Sequence, residues 1–162
     1  MSSSRWFVIA VPAIVLAGCG FQLRSPPQVP PEMVRTYIST PDRHSLFYRR
    51  FRKALQAAGA EVVESATTAT AEFTLLADET GQRVLSVSAR NIPREYEVYY
   101  TINYSVKTGE AILLEPRMQT LTRDYTYDET QVLGKAREEE LMRVAIVDDL
   151  VRNVLFQLSS LQ

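Results

Sequence analysis

Between Tyr96 and Val106, apolar side chains occupy every second position: Tyr96, Val98, Tyr100, Ile102, Tyr104 and Val106. A period of two belongs to a β-strand with one face on a core. Gln82–Arg90 also alternates, and residues 91–95, with Pro93, are expected to join the two strands as a short hairpin loop. Lys107-Thr108-Gly109-Glu110 makes a second turn, and Met118–Tyr127 a further strand with Leu121, Tyr125 and Tyr127 on one face. Shorter strands are expected over Met33–Ser39, 61–64 and 71–77, where Phe73, Leu75 and Ala77 alternate. The Ser/Thr-rich stretch between the last two reads as a loop.

In two places the period changes to three and four residues, which is helical. Phe47, Phe51, Ala54, Leu55 and Ala58 predict a helix over Ser45–Ala58, entered through the turn at Pro41-Asp42 and stopped at Gly59. Leu141, Val144, Val147, Val151, Val154, Leu155 and Leu158 predict a second helix, from about Lys135 to Ser159, after a loop through Gly134. At 1.5 Å per residue it would be roughly 35 Å long. The order is β-α-β-β-β-β-α, give or take a strand. Two amphipathic helices and one amphipathic sheet must cover each other. The predicted fold is therefore α+β: a two-layer sandwich of two helices on one mixed, largely antiparallel sheet of about four to five strands.

The first residues follow a different logic. Arg5 precedes an apolar run from Trp6 to Ala17, and Leu16-Ala17-Gly18-Cys19 closes it. This is the order of a secretory signal: a cationic start, an apolar run, small residues before a cut. A bilayer span needs roughly 20 apolar residues, so the run is too short, and Pro12 interrupts it. Leu-Ala-Gly-Cys resembles a bacterial lipobox, in which the cysteine is lipidated and becomes the first mature residue. The alternatives are a buried cysteine in an uncleaved helix, or an ordinary signal with a chance cysteine. The domain layout expected is a signal at 1–18, a lipidated Cys19 with a proline-rich tether through residue 33, and one domain over 34–162. Pro26, Pro27, Pro30 and Pro31 make that tether extended and semi-rigid. Gly20 stands where an Asp usually holds enteric lipoproteins in the inner membrane, which points to the outer membrane.

Composition narrows the chemistry. Cys19 is the only cysteine, so no intramolecular disulfide is available. Without residues 1–18 the remaining 144 residues carry 17 basic and 19 acidic side chains, which argues against general nucleic-acid binding. His44 is the only histidine, and in a loop before a basic helix it reads as a solvated side chain. With one histidine and no free cysteine the usual zinc constellations are missing, so no metal and no cofactor beyond the covalent lipid is expected. No nucleophile elbow or phosphate-cradling glycine loop occurs. Asp148-Asp149 lies in a helix, where neighbours point apart, and reads as a solvated face. Glu138-Glu139-Glu140 suits the first turns of the second helix. Arg43, Arg49, Arg50, Arg52 and Lys53 surround the first helix, either as its solvated side or as a contact with anionic lipid. Tyr99, opposite the alternating face, is placed to pack on a partner.

Cys19-Gly20-Phe21-Gln22-Leu23-Arg24 resembles the mature start of the LptE family of lipopolysaccharide-assembly lipoproteins. Ser86-Val87-Ser88-Ala89-Arg90-Asn91, followed by Glu95-Tyr96, resembles that family's central hairpin, and Gln131-Val132-Leu133-Gly134-Lys135 its entry into the last helix. The resemblance spans essentially the whole mature chain. It departs in lacking the extended tail of some members, and in Ile92-Pro93-Arg94 at the hairpin tip. It implies a non-enzyme that sits as a plug in the lumen of the outer-membrane β-barrel LptD, on the periplasmic side. Such a protein helps the barrel assemble and binds lipopolysaccharide. Two other classes stay open: a pilot or structural lipoprotein of another outer-membrane machine, and, against the missing nucleophile–base pair, an envelope-lipid hydrolase.

Turn order adds a candidate site. Loops 91–95 and 128–134 should share one end of the sheet, with 107–117 at the other. Arg90 and Lys135 are thereby brought near each other, with Arg94 close by. Arg offers a planar fork to phosphate, and Lys a point charge. A cation in the first turn of a helix opposes the dipole, so helix stability does not explain Lys135. The resemblance implies that Arg90 and Lys135 match basic residues that bind lipopolysaccharide. The alternative is solvated surface charge.

Overall fold

The computed structural model describes residues 28–126 and 132–161, with the helical backbone alone for 132–136. The signal segment, Cys19, the tether up to residue 27 and Tyr127 lie outside the described residues.

The elements are β1 (Arg35–Ser39), α1 (Leu46–Ala57), β2 (Glu61–Val63), β3 (Ala71–Val87), β4 (Pro93–Thr108), β5 (Ala111–Thr126) and α2 (Val132–Ser159). They form a five-stranded sheet in the order β2-β1-β3-β4-β5. β1 runs parallel to β2 and β3, while β3, β4 and β5 form long antiparallel ladders. Both helices pack on one face, so the two-layer α+β sandwich is as expected.

Ser45 starts α1: its hydroxyl accepts the Tyr48 N–H at 3.1 Å, satisfying one of the unpaired donors of the first turn. Phe47, Phe51 and Leu55 are wholly buried. Side chains of that size each contribute about 1.5–3 kcal/mol on burial. Their rings continue into the sheet, Phe51 meeting Phe73 at 4.4 Å and Phe73 meeting Tyr104 at 5.2 Å between centroids. Gly59, at φ 96°, ends the helix in the left-handed region, where a side chain would be strained. β4 supplies the middle of the core: Val98, Tyr100, Ile102, Tyr104 and Val106 are buried, with Tyr96 at the margin.

Four details differ from the sequence pattern, each for a physical reason. Residues 71–77 and 82–90 are not two strands. They form one, β3, with a bulge between Leu75 and Ala77 in its ladder with β4. The extra residue flips the parity. Phe73 and Leu75 face the helices before it, and Asp78 and Gln82 do so after it, bonding the hydroxyls of Tyr100 and Tyr125. The hairpin turn is accordingly 88–92, not 91–95. β5 starts at Ala111, so 111–117 is strand and the turn is tight, with Gly109 at φ 56°. A second bulge near Pro116 hides the alternation there.

α2 begins at Val132 and includes Gly134. Glu138–Glu140 are therefore past its first turn, beyond the reach of the dipole, and Glu139 instead pairs with Arg143 one turn on. Its buried stripe is Ile146, Val147, Leu150, Val151, Val154, Leu155 and Leu158, while Leu141 is 56% exposed. The apolar face is covered only where the helix lies on the sheet, which is its C-terminal part. Finally, Met33 is wholly buried, and Thr36 Oγ1 donates to its carbonyl at 2.7 Å. The last residues of the expected tether thus fold onto the core.

Tyr104 locks α2 to the sheet. Its hydroxyl donates to Gln157 Oε1 at 2.7 Å and accepts from Gln119 Nε2 at 2.9 Å. Burial pushes its pKa up to about 12. Tyr100 moves further up, chiefly through burial and then through Asp78, whose carboxylate accepts its hydroxyl at 2.5 Å.

Candidate functional site

β1 pairs with β3 only over residues 71–74, so the sheet beyond that level is the three strands β3, β4 and β5. The β3–β4 hairpin carries on to its own turn. Ser88 builds that turn: its N–H donates to the Ile92 carbonyl at 2.7 Å, and its hydroxyl accepts the N–H groups of Arg90 and Ile92. Asn91 takes the left-handed conformation at φ 60°, which Asn tolerates better than most residues. The result is a braced turn that presents Arg90 at its tip.

Arg90 and Arg94 are exposed, and neither guanidinium has an ion pair or hydrogen bond within the described residues. On the neighbouring strands, Arg83 pairs with Glu97 at 2.5 Å and Arg123 with Asp149 at 2.7 Å. Arg94 falls in the register shift between Pro93 and Glu95, at the foot of the turn.

Position 135 follows from the register of α2. Gln157 meets Gln119, and eight residues earlier Asp149 meets Arg123, four residues further along β5. Eight helical residues cover about 12 Å and four strand residues about 13 Å, so helix and strand run antiparallel and in step. From Asp149 to position 135 is about 21 Å of helix, against about 10 Å of remaining β5. Position 135 therefore lies beyond Thr126, at the end that holds the 88–92 turn. Its backbone is in the first turn of α2, and its side chain lies outside the described residues.

One feature of this end escaped the sequence pattern. Val84, Leu85 and Val87 are large, apolar and 46–53% exposed. Two register shifts, at Val84/Ser86 and Ser86/Val87, turn this edge out of the regular pleat. The unpaired arginines thus sit next to an exposed apolar edge, an arrangement suited to an amphiphile with anionic groups.

The remaining candidates resolve differently. His44 is exposed in its loop. Asp148 pairs with Arg50, and Asp149 with Arg123 and Arg152. Tyr99 lies on the open sheet face, but its ring covers Gly81 instead of standing free. Arg43, in the loop before α1, and Arg52 on it both reach Glu64 at 2.9 Å, while Arg49 and Lys53 have no partner within the described residues. Among the described residues no group of His, Cys, Asp and Glu could hold a metal ion.

The fold is shared with solved lipoproteins. A solution structure of a lipoprotein B from Nitrosomonas europaea matches at a TM-score of 0.74 and 27% identity, over 87% of this chain and 91% of that one. Rare lipoprotein B from Shewanella oneidensis matches at 0.68 and 23% identity, over 78% of this chain and 94% of that one. Among curated proteins, the LPS-assembly lipoprotein LptE of Pectobacterium atrosepticum is 25% identical over 91% of this chain and 83% of its own length. That of Photorhabdus laumondii is 22% identical over 93% and 82%. The family model LptE, lipopolysaccharide-assembly, matches residues 33–158, from the buried Met33 to the last buried leucine of α2. The chain belongs to the LptE family of lipopolysaccharide-assembly lipoproteins.

Proposed function

We propose that the mature protein is an outer-membrane lipoprotein, cleaved after residue 18 and anchored through Cys19. It plugs and helps assemble an LptD-type β-barrel, with its domain in the lumen on the periplasmic side, and takes no part in covalent chemistry. We further propose that it binds lipopolysaccharide at the end of the sheet carrying Arg90, Lys135 and Arg94. The observation that carries this reading is the pair of exposed, unpaired arginines on a braced turn, beside the apolar edge of Val84, Leu85 and Val87. Lipid A offers phosphates and acyl chains together, and Arg supplies the forked donors that phosphate accepts. The start of α2 adds free N–H groups at the same end, which favour an anion. Membership of the family, and the lipoprotein names of its relatives, support the anchored, assembly-related role.

Affinity purification of the lipoprotein from its own envelope tests the plug. An LptD-type barrel should come down in stoichiometric amount, with lipopolysaccharide. A different outer-membrane machine in its place would replace this reading with that of a pilot lipoprotein.

A further inference from the structure

The outer face of α1 is charged in one sign only. Its twelve residues include Arg49, Arg50, Arg52 and Lys53 and no acid. Arg43, in the loop before it, joins them around an open concavity of about 690 Å³. Among the described residues two carboxylates answer these cations: Arg43 and Arg52 share Glu64, and Asp148 takes Arg50. Arg49 and Lys53, one turn apart and both exposed, are left over. The surplus is local, since the whole chain has a formal net charge of −1. Helix stability does not explain it, because like charges at i and i+4 repel. Solubility is served as well by mixed charge.

These cations are out of reach of the 88–92 turn. The Phe47 N–H donates to the Tyr100 hydroxyl at 3.4 Å, and Tyr100 is the register partner of Thr80. From Thr80 to Ser88 is about 26 Å of strand. α1 then runs away from the turn. The chain leaving it reaches Glu61, whose N–H donates to the Val34 carbonyl at 2.7 Å, just before the level at which β1 meets the start of β3. Charges that far apart lie beyond a Debye length of each other. An anion held by Arg90 is therefore not the partner of Arg49 and Lys53. α1 lies along the flank of the domain, its charged side turned away from the core that Phe47, Phe51 and Leu55 enter.

We propose that Arg49 and Lys53, with the concavity beside them, dock on acidic side chains of the lumen wall of the barrel that the domain plugs. This rests on the plug reading, and the experiment separates the two. The interior of such a barrel is polar, because its strands alternate lipid-facing and lumen-facing side chains. A flank of the plug meets that wall. Against a neutral wall Arg49 and Lys53 would lose water and gain no partner, and against a basic one they would be repelled. Carboxylates suit both, Arg49 as a planar fork and Lys53 as a point charge. On the opposite flank, the open sheet face, Arg83 is paired with Glu97, Lys107 with Glu72, and the hydroxyls of Thr101 and Thr120 with each other. One cationic flank against one acidic stretch of wall thus fixes the rotation of the plug about the barrel axis.

A photo-crosslinking residue is placed at Gln56, which is exposed and lines the concavity, in the full-length lipoprotein in its own cells. Irradiation reads what α1 touches, and affinity purification without irradiation reads whether a barrel is bound at all. The expected result is that the barrel comes down and that position 56 crosslinks to it. Arg49→Glu/Lys53→Glu should lower the crosslink severalfold, and Arg49→Gln/Lys53→Gln should lower it less. Arg49→Lys/Lys53→Arg keeps both charges and should match the parent. All are exchanges of exposed side chains, so circular-dichroism melts should nearly coincide, and the neutral pair keeps the test readable where the reversed pair fails to fold. A barrel recovered without a crosslink at position 56, or with one that the neutral and reversed variants leave undiminished, overturns the docking face and leaves the plug standing. A crosslink to lipopolysaccharide or to another protein in place of the barrel overturns the proposal as well. No barrel recovered with the parent overturns the plug reading and the docking face with it.

Discussion

Tyr99 lies across Gly81: a Cβ built on the glycine would come within 2.5 Å of the tyrosine hydroxyl and 2.7 Å of Cζ. The two residues are register partners on the open face of the β3–β4 ladder. Gly81 does not need a left-handed backbone, so what excludes a side chain there is the ring.

The consequence is a sign change. Gly81→Ala should destabilise the protein by about 1 kcal/mol, the low end for forcing extra volume into a filled place. In a Tyr99→Ala background the same substitution should be neutral or stabilising, since Gly inside a strand is worse than Ala by roughly 0.5–1 kcal/mol. Urea midpoints for the four proteins of the cycle measure this coupling. Equal shifts in both backgrounds would mean that the ring is not held over Gly81.

A second prediction concerns alkaline pH. An unfolded tyrosine titrates near pH 10, whereas burial raises Tyr104 to about 12 and Tyr100 higher still. The folded state holds these protons more tightly than the unfolded chain. Their contribution to stability is thus fully present below about pH 10 and is lost as pH rises toward 12. Melting temperature should fall across that window, and tyrosinate absorbance should rise together with unfolding. Tyr104→Phe should flatten part of the slope. At neutral pH it should lose roughly 1 kcal/mol, the net worth of a hydrogen bond, because Gln119 and Gln157 still bond each other at 3.1 Å. A slope unchanged by Tyr104→Phe would detach Tyr104 from the effect.

These examples show what was legible in the chain. The alternation from Tyr96 to Val106 and the stripe of Phe47, Phe51 and Leu55 named the core, because burial selects at exactly the period of each element. Where a bulge breaks the period, the pattern misleads. Leu76, an extra residue in β3, split one strand into two readings, and Pro116 hid the first part of β5. The start of α2 was misplaced because its first turns are not covered by the sheet, so no apolar stripe marks them. For the site, turn order sufficed to bring Arg90 and position 135 to one end, since antiparallel strands alternate direction. The exposed Leu85 and Val87 were not legible: only the register shifts beside them turn that edge outward.

Lipidation is directly testable. Cys19→Ala should yield a protein that is exported but not processed as a lipoprotein, and that takes up no radioactive palmitate in cells. The motive is the Leu-Ala-Gly-Cys sequence after a cationic start and apolar run. As Cys19 is the only cysteine, no other thiol could carry a thioether-linked lipid. Palmitate incorporation into the variant would therefore place the lipid elsewhere and remove Cys19 as the anchor.

The last prediction isolates the ligand end from the barrel-binding body. Arg90→Asp and Lys135→Asp should each weaken lipopolysaccharide binding, by more than a neutral substitution would, because each replaces an attraction to phosphate with a repulsion. Arg94→Asp should have a smaller effect, since Arg94 sits below the tip on the strand. The fold should be spared. The turn is braced by Ser88 and by the Arg90 backbone N–H, which Asp retains, and the Arg90 guanidinium bonds nothing among the described residues. Circular-dichroism melts should move by no more than surface changes usually produce, within about 0.5 kcal/mol. Barrel co-purification should survive as well, since the sheet face and α1 are untouched and α2 changes only in its first turn. Ser88→Ala offers the complementary control. It leaves every cation in place but removes the acceptor for two turn N–H groups, so weaker binding there would show that Arg90 must be presented as well as present. Measurements belong at moderate salt, where unspecific attraction beyond a Debye length is screened. Undiminished binding by the Arg90→Asp/Lys135→Asp double variant under those conditions would take both residues out of the site.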